Sequence, residues 1–133
     1  MNNELLSFCH AFPVPWTPVN KTEIGRSNLN AATVLSYSIP SIIPSTAQAV
    51  LLYSSVRCGT STINDEGDIA YYVVVDGIRY EHFLYMRSYP QQAHNTNSDN
   101  MWFPMPQNRL IYTQVPIAFP GQCFNVVHVI GYQ

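Results

Sequence analysis

Apolar and polar residues alternate along the chain in short stretches set apart by turn-forming residues. The clearest pair runs from Ile69 to Val75 and from Ile78 to Met86, on either side of Asp76-Gly77. Two apolar arms around Asp-Gly predict a β-hairpin with a type I′ turn, because that turn needs positive φ at both central positions. In the second arm Ile78, Tyr80, His82, Leu84 and Met86 share one face, and Arg79, Glu81, Phe83, Tyr85 and Arg87 share the other. The Ile78/Leu84 face is expected to point inward.

Other stretches read the same way. Ala32 to Ile39 is a short strand, ended by Pro40 and Pro44. Gln48 to Cys58 is stronger, and its continuous apolar part, Ala49 to Tyr53, predicts cover on both faces. Arg109 to Val115 and Phe124 to Tyr132 are further strands, with a turn at Pro120-Gly121 between them. Gly59 to Asp68 and Tyr89 to Asn100 are polar and predict loops, the first with an acidic cluster at Asp65, Glu66 and Asp68. Phe12 to Pro18 is proline-rich, extended, and suited to covering a sheet edge. Six to eight strands at this spacing predict an all-β fold, an antiparallel β-sandwich of the jelly-roll kind. The expectation is one domain over residues 1–133, with an extended N-terminal arm over residues 1–20.

Composition agrees with that fold. Val, Ile, Thr and the three aromatic types supply 47 of 133 residues, the types that fit a pleated, half-buried surface. Ten prolines leave Ser45 to Tyr89 free, so the central strands are expected there. Hydrophobic content of 47% excludes a disordered chain, and no apolar run is long enough to span a membrane as a helix.

Charge narrows the partners. Only 11% of residues are charged, Lys21 is the single lysine, and the net charge is −2. A nucleic-acid partner is not expected, because the five arginines are scattered along the sequence. The first residues carry neither a basic n-region nor a long apolar stretch, so no signal peptide is read there. Extracellular use is nonetheless favoured, as for a mature chain with an added Met.

Cys9, Cys58 and Cys123 have no metal-ligand spacing. Cys58 ends one strand and Cys123 begins another, so this is the pair expected if a disulfide forms, with Cys9 free or joining two chains. The alternative is three reduced thiols. Asn20-Lys21-Thr22 is a glycosylation sequon. His10, His82, His94 and His128 share no zinc spacing.

The chemistry that remains is polar recognition. Asn95, Asn97, Asp99 and Asn100 lie in one run of oxygen-bearing side chains, and Trp102 follows. Amides and carboxylates pair with vicinal hydroxyls, and an apolar ring can lie under the C–H face of a sugar. These five residues form the candidate sugar site, against the plainer reading of a solvated loop beside a core tryptophan. Asn97 and Asp99 are candidate calcium ligands, since hard cations take oxygen donors. Trp16 has the same two readings in a less polar setting. The first functional reading is a lectin-like, glycan-binding protein acting as a homo-oligomer. The second is a structural or interaction module, a jelly-roll head or coat component. The third is a small enzyme with His82, Glu81 or Asp99 in acid–base roles.

Overall fold

The computed structural model describes residues 15–59, 65–88, 94–119 and 123–133. Cys9 and the Pro120-Gly121 turn lie outside them. Eight strands form: β1 (Thr17–Asn28), β2 (Thr33–Ser38), β3 (Ala49–Gly59), β4 (Glu66–Val75), β5 (Ile78–Arg87), β6 (His94–Pro104), β7 (Leu110–Val115) and β8 (Cys123–Tyr132). They make two four-stranded antiparallel sheets, β1-β8-β3-β6 and β2-β7-β4-β5. This strand order is a jelly roll, in which every connection except the β4–β5 hairpin crosses between the sheets, and the two sheets bury one face of each. No helix among the described residues is long and apolar enough to cross a membrane.

The β4–β5 hairpin forms as the pattern predicts. Asp76 and Gly77 have φ of 51° and 76°, the left-handed pair that a type I′ turn requires. Leu84 and Met86 are buried, so the Ile78/Leu84 face does point inward. Ile78 and Tyr80 on that face are exposed.

Two boundaries differ from the pattern. Residues 94–100 are strand, not loop: β6 pairs with β3 from Ala49↔Pro104 to Gly59↔His94. Backbone pairing along the whole length of β3 outweighs the low strand propensity of Asn and Asp. The acidic cluster is split likewise, with Glu66 and Asp68 already in β4. The proline-free stretch supplies the central strands β3 and β4, but also the edge strand β5; the other central strands, β7 and β8, come from the C-terminal third. β1, which the hydrophobic pattern does not reveal, is an edge strand whose burial alternates irregularly.

The core lies between the sheets. Val50, Leu52, Val56, Met101, Phe103 and Val127 face Ile69, Tyr71, Val73, Leu84 and Ile111. Cys58 and Cys123 are register partners on β3 and β8 and form a buried disulfide, with Cα atoms 4.0 Å apart. A polar seam crosses this core. The Tyr37 phenol lies 2.6 Å from the Ser27 hydroxyl and accepts a 3.4 Å hydrogen bond from the Asn125 amide.

Candidate functional site

Because residues 94–104 form a strand, the five candidate sugar residues divide between two faces. Asn95, Asn97 and Asp99 share the face of the buried Met101 and Phe103. Asn100 and Trp102 share the outer face of the first sheet. The candidate calcium pair, Asn97 and Asp99, therefore sits on the side turned toward β5.

On that side two amides are engaged. The Asn97 side chain donates to the Tyr85 carbonyl at 2.9 Å, and the Asn95 side chain donates to the Arg87 carbonyl. They tie the edge strand β6 of one sheet to the edge strand β5 of the other. His82 adds a third link, with Nε2 3.1 Å from the Trp102 carbonyl oxygen and its ring edge-on to Phe103. Asp99 Oδ1 accepts the backbone N–H of Asn100 at 2.8 Å. Among the described residues, no group of three or more His, Cys, Asp or Glu gathers as metal ligands would. Of the residues considered for acid–base work, Glu81 is ion-paired with Arg79 at 2.6 Å on the second sheet, away from Asp99 on β6.

The outer face of the first sheet gathers a different set. Leu51 pairs with Trp102 on one side and Gly131 on the other. Trp16 lies directly over Gly131, where a β-carbon would stand 2.4 Å from its Cζ3. Trp16 meets Trp102 edge to face, with ring centroids 5.9 Å apart. These rings explain why Leu51 is only 6% exposed although it points away from the core. Of the expected N-terminal arm, residues 1–14 lie outside the described residues, and Trp16 covers part of the sheet while staying 45% exposed. Thr17 to Asn20 are not arm but the start of β1, where Thr17 and Pro18 pair with β8.

The next row of this face runs Glu23, His128, Tyr53, Asn100. Lys21 stands 4.2 Å above the Tyr53 ring, and the Tyr53 and His128 rings are 6.1 Å apart. The Asn100 amide has no hydrogen-bond partner among the described residues. His128 is held below the ordinary imidazole value, first by burial and then by Lys21 and Arg26, with Glu23 opposing. The result is a ledge with two tryptophans at one end and Asn100, Tyr53, Lys21 and His128 beside them.

Sequence reasoning found Asn100 and Trp102 and ranked Trp16 lower. It missed Tyr53, Lys21 and His128, which reach the ledge only through β3, β1 and β8 pairing. In sequence Tyr53 reads as the end of a core strand. Compared with known proteins, the chain matches no family model. It matches no curated protein either.

Proposed function

We propose that this chain is a lectin-like module that binds glycans reversibly and without covalent chemistry, at the Trp16–Trp102 end of the first sheet. The observation that carries the reading is the edge-to-face tryptophan pair, with Trp16 45% exposed and Trp102 partly buried, set beside the unpartnered Asn100 amide. An aromatic surface takes the C–H face of a pyranose, and an adjacent amide donates to and accepts from its hydroxyls. Asn95 and Asn97 support β6 through their bonds to β5 and take no hydroxyl in this reading. Calcium is an added partner only if Asp99 recruits it at the strand edge.

The test is a glycan array, run once with calcium and once with EDTA, on the native chain and on Trp16→Ala and Asn100→Ala. The native chain should bind, and each variant should lose signal while keeping its melting temperature within a few degrees. Binding that ignores both substitutions overturns the site, and silence of the native chain in both buffers overturns the reading. Loss in EDTA alone would assign calcium a part.

A second reading is favoured by one observation. Ile78 and Tyr80 lie on the inward face of β5 yet stay exposed, at 54% and 38%. Such an overhang suits contact between copies in a homo-oligomer. Light scattering of the native chain and of Ile78→Asp/Tyr80→Asp decides it: a multimer that dissociates supports the contact, and a native monomer rejects it.

A further inference from the structure

The outer face of the second sheet holds a depression of about 460 Å³. Its origin lies in one register row. Ala70 on β4 pairs with Gln114 of β7 on one side and Phe83 of β5 on the other. A methyl group between two long side chains leaves a hollow, and Ala70 is its floor, only 4% exposed. Phe83, 54% exposed, forms one wall. Asp68 and Pro116 close another side.

The third wall is fixed by a network. The Arg79 guanidinium lies 3.7 Å above the Tyr72 ring, which stacks on Tyr112 with centroids 5.0 Å apart. Arg79 Nε donates to Glu81 Oε2 at 2.6 Å, and Nη2 donates to Gln114 Oε1 at 2.7 Å. The network holds Gln114 with its carbonyl occupied, so its amide N–H₂ is the free end. Glu81 keeps one carboxylate oxygen without a bond. Asp68 makes no hydrogen bond or ion pair among the described residues.

The hollow therefore offers an apolar floor and an aromatic wall, with acceptors on Asp68 and Glu81 and a donor on Gln114. Hydroxyls both donate and accept, so adjacent hydroxyls can satisfy both kinds of group at once. A hydrocarbon ligand would leave the Asp68 carboxylate desolvated and unpaired, which is costly. An acidic sugar would bring a third carboxylate against Asp68 and Glu81, with Arg79 already paired. We propose that this depression is a second binding site, specific for a neutral hexopyranose with its C–H face on Phe83. It rests on the glycan reading above and adds a consequence: a single chain carries two sugar sites on opposite faces of the sandwich.

The experiment is a ¹H–¹⁵N chemical-shift titration of the full chain with methyl glucoside, methyl galactoside and methyl mannoside, and with glucuronic acid as the acidic control. The variants are Ala70→Leu, which fills the hollow without changing its charge, Asp68→Ala, and Trp16→Ala for the other face. At least one neutral glycoside should shift amides at residues 68–70, 81–83 and 114. Binding there should weaken by more than about tenfold in Ala70→Leu and Asp68→Ala, and should be unchanged in Trp16→Ala. Glucuronic acid should bind there more weakly than that glycoside. No shift at these residues overturns the proposal, whatever happens elsewhere. Shifts confined to Trp16, Asn100 and Trp102 overturn it and leave the first site standing. Shifts confined to the depression support it and overturn the first site. A depression that prefers the acid overturns the assigned ligand class.

Discussion

The ring of Tyr37 on β2 presses against the backbone of Gly25 on β1, so closely that a β-carbon on Gly25 would stand 2.0 Å from Tyr37 Cδ1. Tyr37 cannot easily yield, since its phenol is tied to Ser27 and Asn125 in the polar seam. Gly25→Ala should destabilise the fold by about 1–3 kcal/mol, the usual cost of overpacking. Urea unfolding measures it, and the cost should shrink in a Tyr37→Leu background. An equal cost in both backgrounds would mean that the ring is not the obstacle.

Tyr71 poses the opposite case. Its hydroxyl is buried in the core without a hydrogen-bond partner among the described residues, and burial pushes its pKa far up, with the nearby Tyr37 adding to the effect. A buried polar atom left unpaired costs about 1–3 kcal/mol. Tyr71→Phe should therefore leave stability unchanged or raise it, as read from the denaturation midpoint. A clear loss would mean that the hydroxyl is bonded in solution.

The disulfide joins β3 to β8 across a sequence separation of 65 residues. A loop of that length, closed in the unfolded chain, is worth about 4 kcal/mol by chain entropy. Reduction with a strong thiol, or the Cys58→Ala/Cys123→Ala variant, should lower the melting temperature sharply while unfolding stays cooperative. An unchanged melting temperature would show that the sheet holds without the bridge.

His128 should give stability a pH dependence in the imidazole range. Its folded pKa lies below the ordinary value of 6.5, because burial and the neighbouring Lys21 and Arg26 disfavour the cation more than Glu23 favours it. Tyr53 packs on its other side. Above pH 6.5 the ring is neutral in both states and the contribution is complete. As pH falls below 6.5, the unfolded chain takes up the proton first, and this part of the stability is lost. His128→Gln should flatten the profile between pH 7 and pH 5. A profile as steep as before would place the titration elsewhere.

Much of the fold was legible in the sequence because the inward strands carry their own signal. Ile69–Met86 announces a hairpin by alternation and by Asp76-Gly77, and both features hold. β6 was not legible from residue 94 to residue 100, because residues 96–100 are exposed on both faces, which removes the apolar alternation. The candidate sugar set was divided for the same reason: a strand sends neighbours to opposite faces where a loop need not. The ledge around Trp102 and the hollow over Ala70 depend on which strands pair. Ala70 reads as an unremarked core alanine until Phe83 and Gln114 are placed on either side of it.

The amides of Asn95 and Asn97 reach beyond holding two sheets together. A sheet edge with free carbonyls is a template on which a foreign strand can add, and proteins commonly guard such edges with lysine. This chain has one lysine, and it lies over Tyr53 on β1. Along the Tyr85–Arg87 end of β5 the exposed carbonyls are already occupied by side chains of the neighbouring edge strand. Two asparagines thus guard this end of β5 against the addition of a foreign strand, without a lysine.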